Sequence, residues 1–334
     1  MGKMADAWLS KYRQNFDLYQ EAAELAKQQI DDALLGAPLS IQIVSTRAKN
    51  PDSVAEKIVR QGYGRPSQQM DDLIGVRIIT LYDHTVDEVA RRLRARFDVV
   101  EERSSDKSKQ LALRQVGYRS NHLVMRVRKA GLAPVSAILT STLVEVQVRS
   151  VIAHAWAEIE HSLRYKVGEG VPDHLFRRFD ALAGTLELVD REFSSIEEAI
   201  VEHVRLLSTR YASQQGLDEE LSSIQLLGCI AAFRAETARL GPRSLVLEIE
   251  DAYRLAKILK RAGVRTVGDL ARELQLPEVH RVIRGYAELD PSNIAPEQAS
   301  ARVVLGAVIG LRSPELLEIS GTLDSRLTQA LAAN

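Results

Sequence analysis

The sequence predicts an α+β fold: a mixed β-sheet covered by helices, followed by an all-helical module. Three observations carry that reading. Residues 72–80 are dense in β-branched side chains and open on a carboxylate, as a buried strand with a charged mouth does. Residues 142–149 alternate strictly, with Thr142, Val144, Val146 and Val148 on one face and Leu143, Glu145, Gln147 and Arg149 on the other. Elsewhere strands and helices mix without a repeated βαβ rhythm, and beyond Gly216 every signal is helical. The expected division is a sheet domain with flanking helices over 1–215 and a helical accessory domain over 216–334.

Taken in order, residues 5–35 read as a charged, Ala-rich helix or helix pair that stops at Gly36 and Pro38. Residues 39–46 alternate as a strand. A helix capped by Asp52 or Ser53 runs to Arg60, and the turn Gly62-Tyr63-Gly64-Arg65-Pro66 leads to the strand at 72. Val86, Val89, Ala90 and Leu93 stripe a helix over 83–96. A short strand at 97–100 precedes a polar loop, 101–115, rich in Lys and Ser. Residues 121–127 form a further strand. The helix over 151–167 shows an apolar face of Ile152, Trp156, Ile159 and Leu163 and a polar face of His154, Glu158, His161 and Tyr165. A long helix from 172 to about 211 follows. In the last part Thr266 is expected to begin a helix and Ser313 to cap one.

Composition narrows the function. Lys and Arg number 44 against 45 Asp and Glu, so no basic field for long nucleic acid exists and phosphate binding must be local. The single Cys229 excludes an internal disulfide and suits a reducing compartment. The first residues lack the apolar core of a secretion signal, and the longest apolar run, 303–311, is too short to span a bilayer. A cytoplasmic protein with no membrane contact is expected.

Several residues are candidates for chemistry. If their two strands sit in one sheet, Asp72 and Glu145 can converge on one magnesium ion; otherwise each can be a solvated strand end. Arg47, Lys49 and Lys57 can be a solvated basic edge or a grip on a triphosphate. Tyr118, flanked by Gly117 and polar residues, is either a sheet tyrosine or a stacking platform for a base. His154, Glu158 and His161 lie at i, i+4 and i+7 on one helix face. Zinc would need a further soft ligand, and none is near them in the sequence.

The order of these residues adds a resemblance. Arg47-x-Lys49-x-x-x-Ser53-x-x-x-Lys57, then Asp72-x-x-Gly75-x-Arg77-Ile78, Gly117-Tyr118-x-Ser120-x-His122, Glu145-x-Gln147-x-Arg149 and His154-x-Trp156-Ala157-x-Ile159-Glu160-His161 resemble the RelA/SpoT synthetases over roughly 40–170. The resemblance implies a nucleotidyltransferase-like fold. It implies transfer of pyrophosphate from ATP to the 3′-hydroxyl of GTP or GDP, giving the alarmones pppGpp or ppGpp and AMP, with Mg2+ as cofactor. It assigns Arg47, Lys49, Ser53 and Lys57 to the ATP phosphates, Arg77 to a place beside the adenine, and Asp72 and Glu145 to metal and catalysis. Tyr118, His122, Arg114 and Gln147 fall on the acceptor side, and His154, Glu158 and His161 support the floor.

This sequence departs from that pattern in the loop Ser104-Ser105-Asp106-Lys107-Ser108-Lys109, which lacks the tyrosine of relatives, and at Arg114, which stands where they carry Lys. No His-Asp metal motif precedes residue 40, so a synthetase-only member is expected. A toxin branch of the family uses other acceptors, adenine nucleotides or the 3′ end of tRNA, under the restraint of an antitoxin or attached domain. The altered loop and the unfamiliar tail leave room for that reading. An inactive nucleotide sensor is the other alternative, and the presence of both Asp72 and Glu145 argues against it. The segment 266–283 loosely resembles a helix-turn-helix, yet Arg272, Arg281 and Arg284 are offset by Asp269, Glu273 and Glu278, which disfavours DNA. A docking or regulatory role, within the chain, toward another protein or in a homo-oligomer, is the expectation for the tail.

Overall fold

The computed structural model describes residues 2–35, 39–106, 120–165, 173–237, 249–289, 301–317 and 325–333. They form two compact units, Met1–Ile196 and Glu197–Asn334, each with its own core.

In the first unit, α1 (Lys3–Gln14) and α2 (Phe16–Leu34) confirm the expected helix pair. β1 (Ile41–Ala48) runs two residues further than its alternation suggested. α3 (Pro51–Gln61) is capped by Asn50, whose Oδ1 accepts from the Asp52 amide at 2.8 Å, and not by Asp52 or Ser53. The reason is Pro51: it fits the first helical position and lacks an amide donor, so the cap must precede it. Gly62 ends this helix at φ +66°, a left-handed position that glycine fills without strain. A one-turn α4 (Pro66–Gln69) leads to β2 (Ile74–Thr80), so Asp72 stands just ahead of the strand.

After α5 (Asp83–Arg96) come the two-residue strands β3 (Asp98–Val99) and β4 (Ser105–Asp106), then β5 (Asn121–Arg126). The expected loop thus holds a helical turn at Glu101–Arg103 and β4 before the described residues break at 106. A short helix absent from the sequence reading, α6 (Val135–Ser141), buries Val135 and Leu139 and delivers the chain to β6 (Val144–Ser150). α7 (Val151–Glu160) passes into a wide turn at His161–Tyr165. The apolar face expected for α7 is corrected: Ala153 and Trp156 are buried, but Ile159 is 50 % and Leu163 47 % exposed. Only a narrow stripe is covered, with Trp156 against Phe179 of α8 (Asp173–Ala212) at 4.9 Å between ring centroids.

The sheet has the order β1-β2-β6-β5-β3, with β4 also on β5. β2 and β6 are parallel, and every other pairing is antiparallel. Its inner face, formed by Ile74, Val76, Ile78, Leu123, Met125, Val144, Val146 and Val148, packs on α2, α5 and α6. Alternation therefore sends Gly75, Arg77, His122, Glu145, Gln147 and Arg149 to the opposite face.

Among its described residues the second unit is built of helices and short turns, and one isolated β-bridge links Glu220 to Thr266. The helices are the end of α8, then α9 (Ser223–Thr237), α10 (Ile249–Arg261), α11 (Val267–Leu274), α12 (Pro277–Glu288), α13 (Ala301–Arg312) and α14 (Ser325–Ala332). The apolar run expected to be too short for a bilayer is α13, buried from Val303 to Gly310 as the central helix of this core. A Cβ at Gly310 would stand 2.5 Å from Leu331, so glycine there lets α14 close. A helix begins at Thr266 as expected, and Thr266 caps this α11 in a reciprocal box with Asp269. Ser313 makes no side-chain cap to the single turn after it. No described helix is long and apolar enough to cross a membrane.

Candidate active site

The polar face of the sheet is built in rungs. Register sets Arg47 beside Gly75 and Gly75 beside Glu145. The next rung runs Ser45, Arg77, Gln147 and His122 across four strands. Because Gly75 has no side chain, the floor between Arg47 and Glu145 stays open. An open cleft with about 480 Å³ of space lies there, lined by residues that include Arg47, Asp72, Gly75, Arg77, Glu145 and Gln147.

At one end, Asp72 Oδ2 accepts from Lys49 Nζ at 2.7 Å and pairs with Lys57 Nζ at 2.8 Å. Asp72 Oδ1 is buried with no hydrogen-bond partner. Burial opposes the charge on Asp72, but the two ammonium groups outweigh it and hold the carboxyl below its usual range. Lys49 sits between strand and helix, and its amide donates to the Leu73 carbonyl at 2.9 Å.

At the other end, Glu145 Oε1 lies 3.1 Å from His122 Nδ1, and Glu145 Oε2 accepts from Gln147 Nε2 at 3.1 Å. Arg149 Nη2 lies 3.4 Å from His122 Nε2, while Arg149 Nε donates to Ser120 Oγ at 2.9 Å. A guanidinium only donates, so His122 Nε2 accepts and Nδ1 carries the proton toward Glu145. Burial works against the ionised Glu145, yet the bonds from His122 and Gln147 prevail and leave its carboxyl below the ordinary value. The negative charge of Asp72 pushes the other way. Arg149 is lowered by burial and by Arg77, with Glu158 and Glu145 opposing.

Helix α7 meets this face at Arg77. Arg77 Nη1 pairs with Glu158 Oε1 at 3.1 Å, and His154 Nδ1 lies 3.9 Å from the same oxygen. Burial, then Arg77, lowers the His154 pKa. His161 is exposed at the start of the wide turn. Ser53 is exposed on the first turn of α3, outside the lining residues. Arg114 and Tyr118 lie outside the described residues. Among the described residues no group of three or more metal-ligating side chains gathers, and Asp72 and Glu145 both line this cleft.

Sequence reasoning assigned no role to Ser120 and Arg149, although both stand in the quoted motifs. It also passed over Tyr12, whose hydroxyl donates to the Lys49 carbonyl at 2.6 Å. The signal for Tyr12 was the series Trp8, Tyr12, Phe16 and Tyr19, aromatic at nearly every helical turn.

Comparison with known proteins gives the family. Residues 46–170 match the region found in RelA/SpoT proteins. The GTP pyrophosphokinase YjbM of Bacillus subtilis (strain 168) is 30% identical over 167 residues, covering 48% of this chain and 74% of the relative. The chain belongs to the RelA/SpoT family. The B. subtilis GTP pyrophosphokinase YwaC is 26% identical over 168 residues, 48% of this chain and 75% of that protein. Among solved structures, small alarmone synthetase 1 from B. subtilis superposes with a TM-score of 0.48 at 28% identity, over 57% of this chain and 98% of the synthetase. The RelA/SpoT segment runs from the last residues of β1 past α7 and holds most of the residues that line the cleft.

Proposed function

We propose that the chain transfers the β,γ-pyrophosphate of ATP to the 3′-hydroxyl of GTP or GDP, releasing AMP and (p)ppGpp. The observation that carries this reading is one polar sheet face where two ionised carboxylates stand among excess cations. Arg47, Lys49, Lys57, Arg77 and Arg149 outnumber Asp72, Glu145 and Glu158 there, a field that suits a polyphosphate.

Magnesium fits the donor set. Asp72 offers a buried, unpartnered Oδ1, and Glu145 offers hard oxygens on the next strand but one from β1. Asp72 and Glu145 would hold the ion, which when bound neutralises phosphate charge and polarises the transferred group. Arg47, Lys49 and Lys57 bind and orient the triphosphate. Ser53, four residues before Lys57 on the same helix face, lies along the path of a phosphate chain running past that lysine. Arg77, fixed by Glu158, borders the adenine side, with His154 and His161 on the supporting helix.

His122 and Gln147 each engage one oxygen of Glu145 and so orient it toward the acceptor. The acceptor's 3′-oxygen attacks the β-phosphorus, and the bond from that phosphorus to the bridging α–β oxygen breaks. AMP leaves with the oxygen, and the hydroxyl proton passes to Glu145. No protein nucleophile is needed, since positioning and charge stabilisation carry the chemistry. Tyr118 and Arg114 are assigned to the acceptor's base and phosphates on the sequence alone. The helical second unit is assigned an accessory role exercised by contact, in a cytoplasmic enzyme.

The test is incubation of the purified chain and Mg2+ with ATP labelled at the γ-phosphate, offered GTP, GDP, ATP, ADP and tRNA in turn. Label in a guanine nucleotide with stoichiometric AMP is the expected result. Label only in adenine nucleotides or tRNA would replace this reading with that of the toxin branch, and no transfer to any acceptor would replace it with a nucleotide sensor.

A further inference from the structure

The geometry points to Tyr12 as a positioning residue for Lys49, acting from a helix that lies outside the RelA/SpoT segment. This inference rests on the reading of Lys49 as a ligand of the ATP phosphates. Tyr12 belongs to α1, whereas the matched segment begins at residue 46. Its side chain reaches across 37 positions to give a 2.6 Å hydrogen bond to the Lys49 carbonyl. Lys49 lies beyond the last residue of β1 and before the first of α3. Its amide is tied to Leu73 and its carbonyl to Tyr12, so the backbone of Lys49 is held on both sides of its Cα while Nζ lies 2.7 Å from Asp72.

The clamp is rigid because the tyrosine is packed. Tyr12 is 2 % exposed. Its ring stacks on Trp8 at 5.4 Å, tilts against Tyr19 at 4.5 Å and meets the edge of Phe16 at 6.1 Å. The surrounding core joins Ala5 and Leu9 of α1 to Val54 and Ile58 of α3 and to Met70 and Leu73. Arg13 adds an exposed tie to Asp52 at 2.7 Å. Burial, with Tyr19 and Asp72 adding to it, drives the Tyr12 hydroxyl far above its ordinary value, so it remains a donor at every physiological pH. A general packing role would need only the ring. The hydroxyl is spent on the backbone carbonyl of a residue whose ammonium meets Asp72.

Tyr12→Phe in the full chain keeps the ring and removes the bond. Binding of a non-hydrolysable ATP analogue with Mg2+, measured by calorimetry, is expected to weaken about three- to tenfold, the worth of one hydrogen bond. The acceptor KM is expected to stay near its wild-type value, while Tm falls by the few degrees that one buried hydrogen bond is worth. In a Lys49→Met background the same Tyr12→Phe change is expected to cost nothing further. If Tyr12→Phe weakens the analogue equally in both backgrounds, or leaves it unchanged where Lys49→Met weakens it, the positioning role is overturned and the site reading stands. If Lys49→Met itself leaves analogue binding intact, the assignment of Lys49 fails and this inference fails with it.

Discussion

The two faces of the central sheet are made by the same strands and differ in almost everything else. On β6, Val144, Val146 and Val148 are fully buried under helices, while Glu145, Gln147 and Arg149 line or border an open polar cleft. On β2, Ile74, Val76 and Ile78 face the core, and Gly75 and Arg77 face the cleft. The lesson is a division of labour at a period of two residues. One face supplies the burial that holds the sheet, which frees the other to carry charges that stabilise nothing by packing.

The largest expected effects separate the faces directly. Asp72→Asn is expected to lower turnover at least a hundredfold, ~2.7 kcal/mol of barrier, in a chain that still unfolds cooperatively. Ile78→Ala, at a position with no exposed surface, is expected to cost about 2–5 kcal/mol of stability in urea unfolding while the folded fraction keeps near-normal turnover. Comparable losses of turnover per folded molecule from both would break the comparison.

A second pair sharpens it within the cleft. Lys49 and Lys57 both sit on Asp72 and occupy the charge that a divalent cation would meet. Lys49→Met and Lys57→Met are each expected to weaken the ATP analogue by about tenfold and to tighten Mn2+ binding in the absence of nucleotide by a few-fold. Effects of the same sign on nucleotide and metal would contradict that competition.

The smallest effect is on stability against pH. Asp72 and Glu145 both have folded carboxyls below their ordinary values of 3.8 and 4.5. The unfolded chain therefore takes up protons first, so the stability they add is present above those values and is lost as pH falls through the folded ones. The double variant Asp72→Asn, Glu145→Gln is expected to flatten the acid limb of the stability curve, measured by urea unfolding between pH 6 and about pH 3. An unchanged acid limb would place the charge effects elsewhere.

Much of this division was legible in the sequence. The alternation of 142–149 foretold which side chains of β6 face the core, because a strand with one buried face leaves no freedom in that pattern. The buried apolar run at 303–311 was legible as too short for a bilayer, though not as the centre of a helical core. What escaped had non-local causes. Ile159 and Leu163 read as core but are exposed, since α7 is covered along only one narrow stripe. The cap of α3 moved to Asn50 because Pro51 forces it there. The proton on His122 Nδ1 follows from Arg149 lying across a strand pair, a contact no spacing in the chain announces. Tyr12 was invisible as part of the site for the same reason: its partner lies 37 residues away.

The division of labour is tested most directly by replacing each residue from 144 to 149 with alanine, one at a time, and recording turnover and Tm for every variant. The expected result is an alternating record. Val144, Val146 and Val148 variants lose Tm with turnover per folded molecule preserved, and Glu145, Gln147 and Arg149 variants lose turnover with Tm nearly preserved. A record in which turnover and Tm fall together at all six positions, with no alternation, would contradict the account.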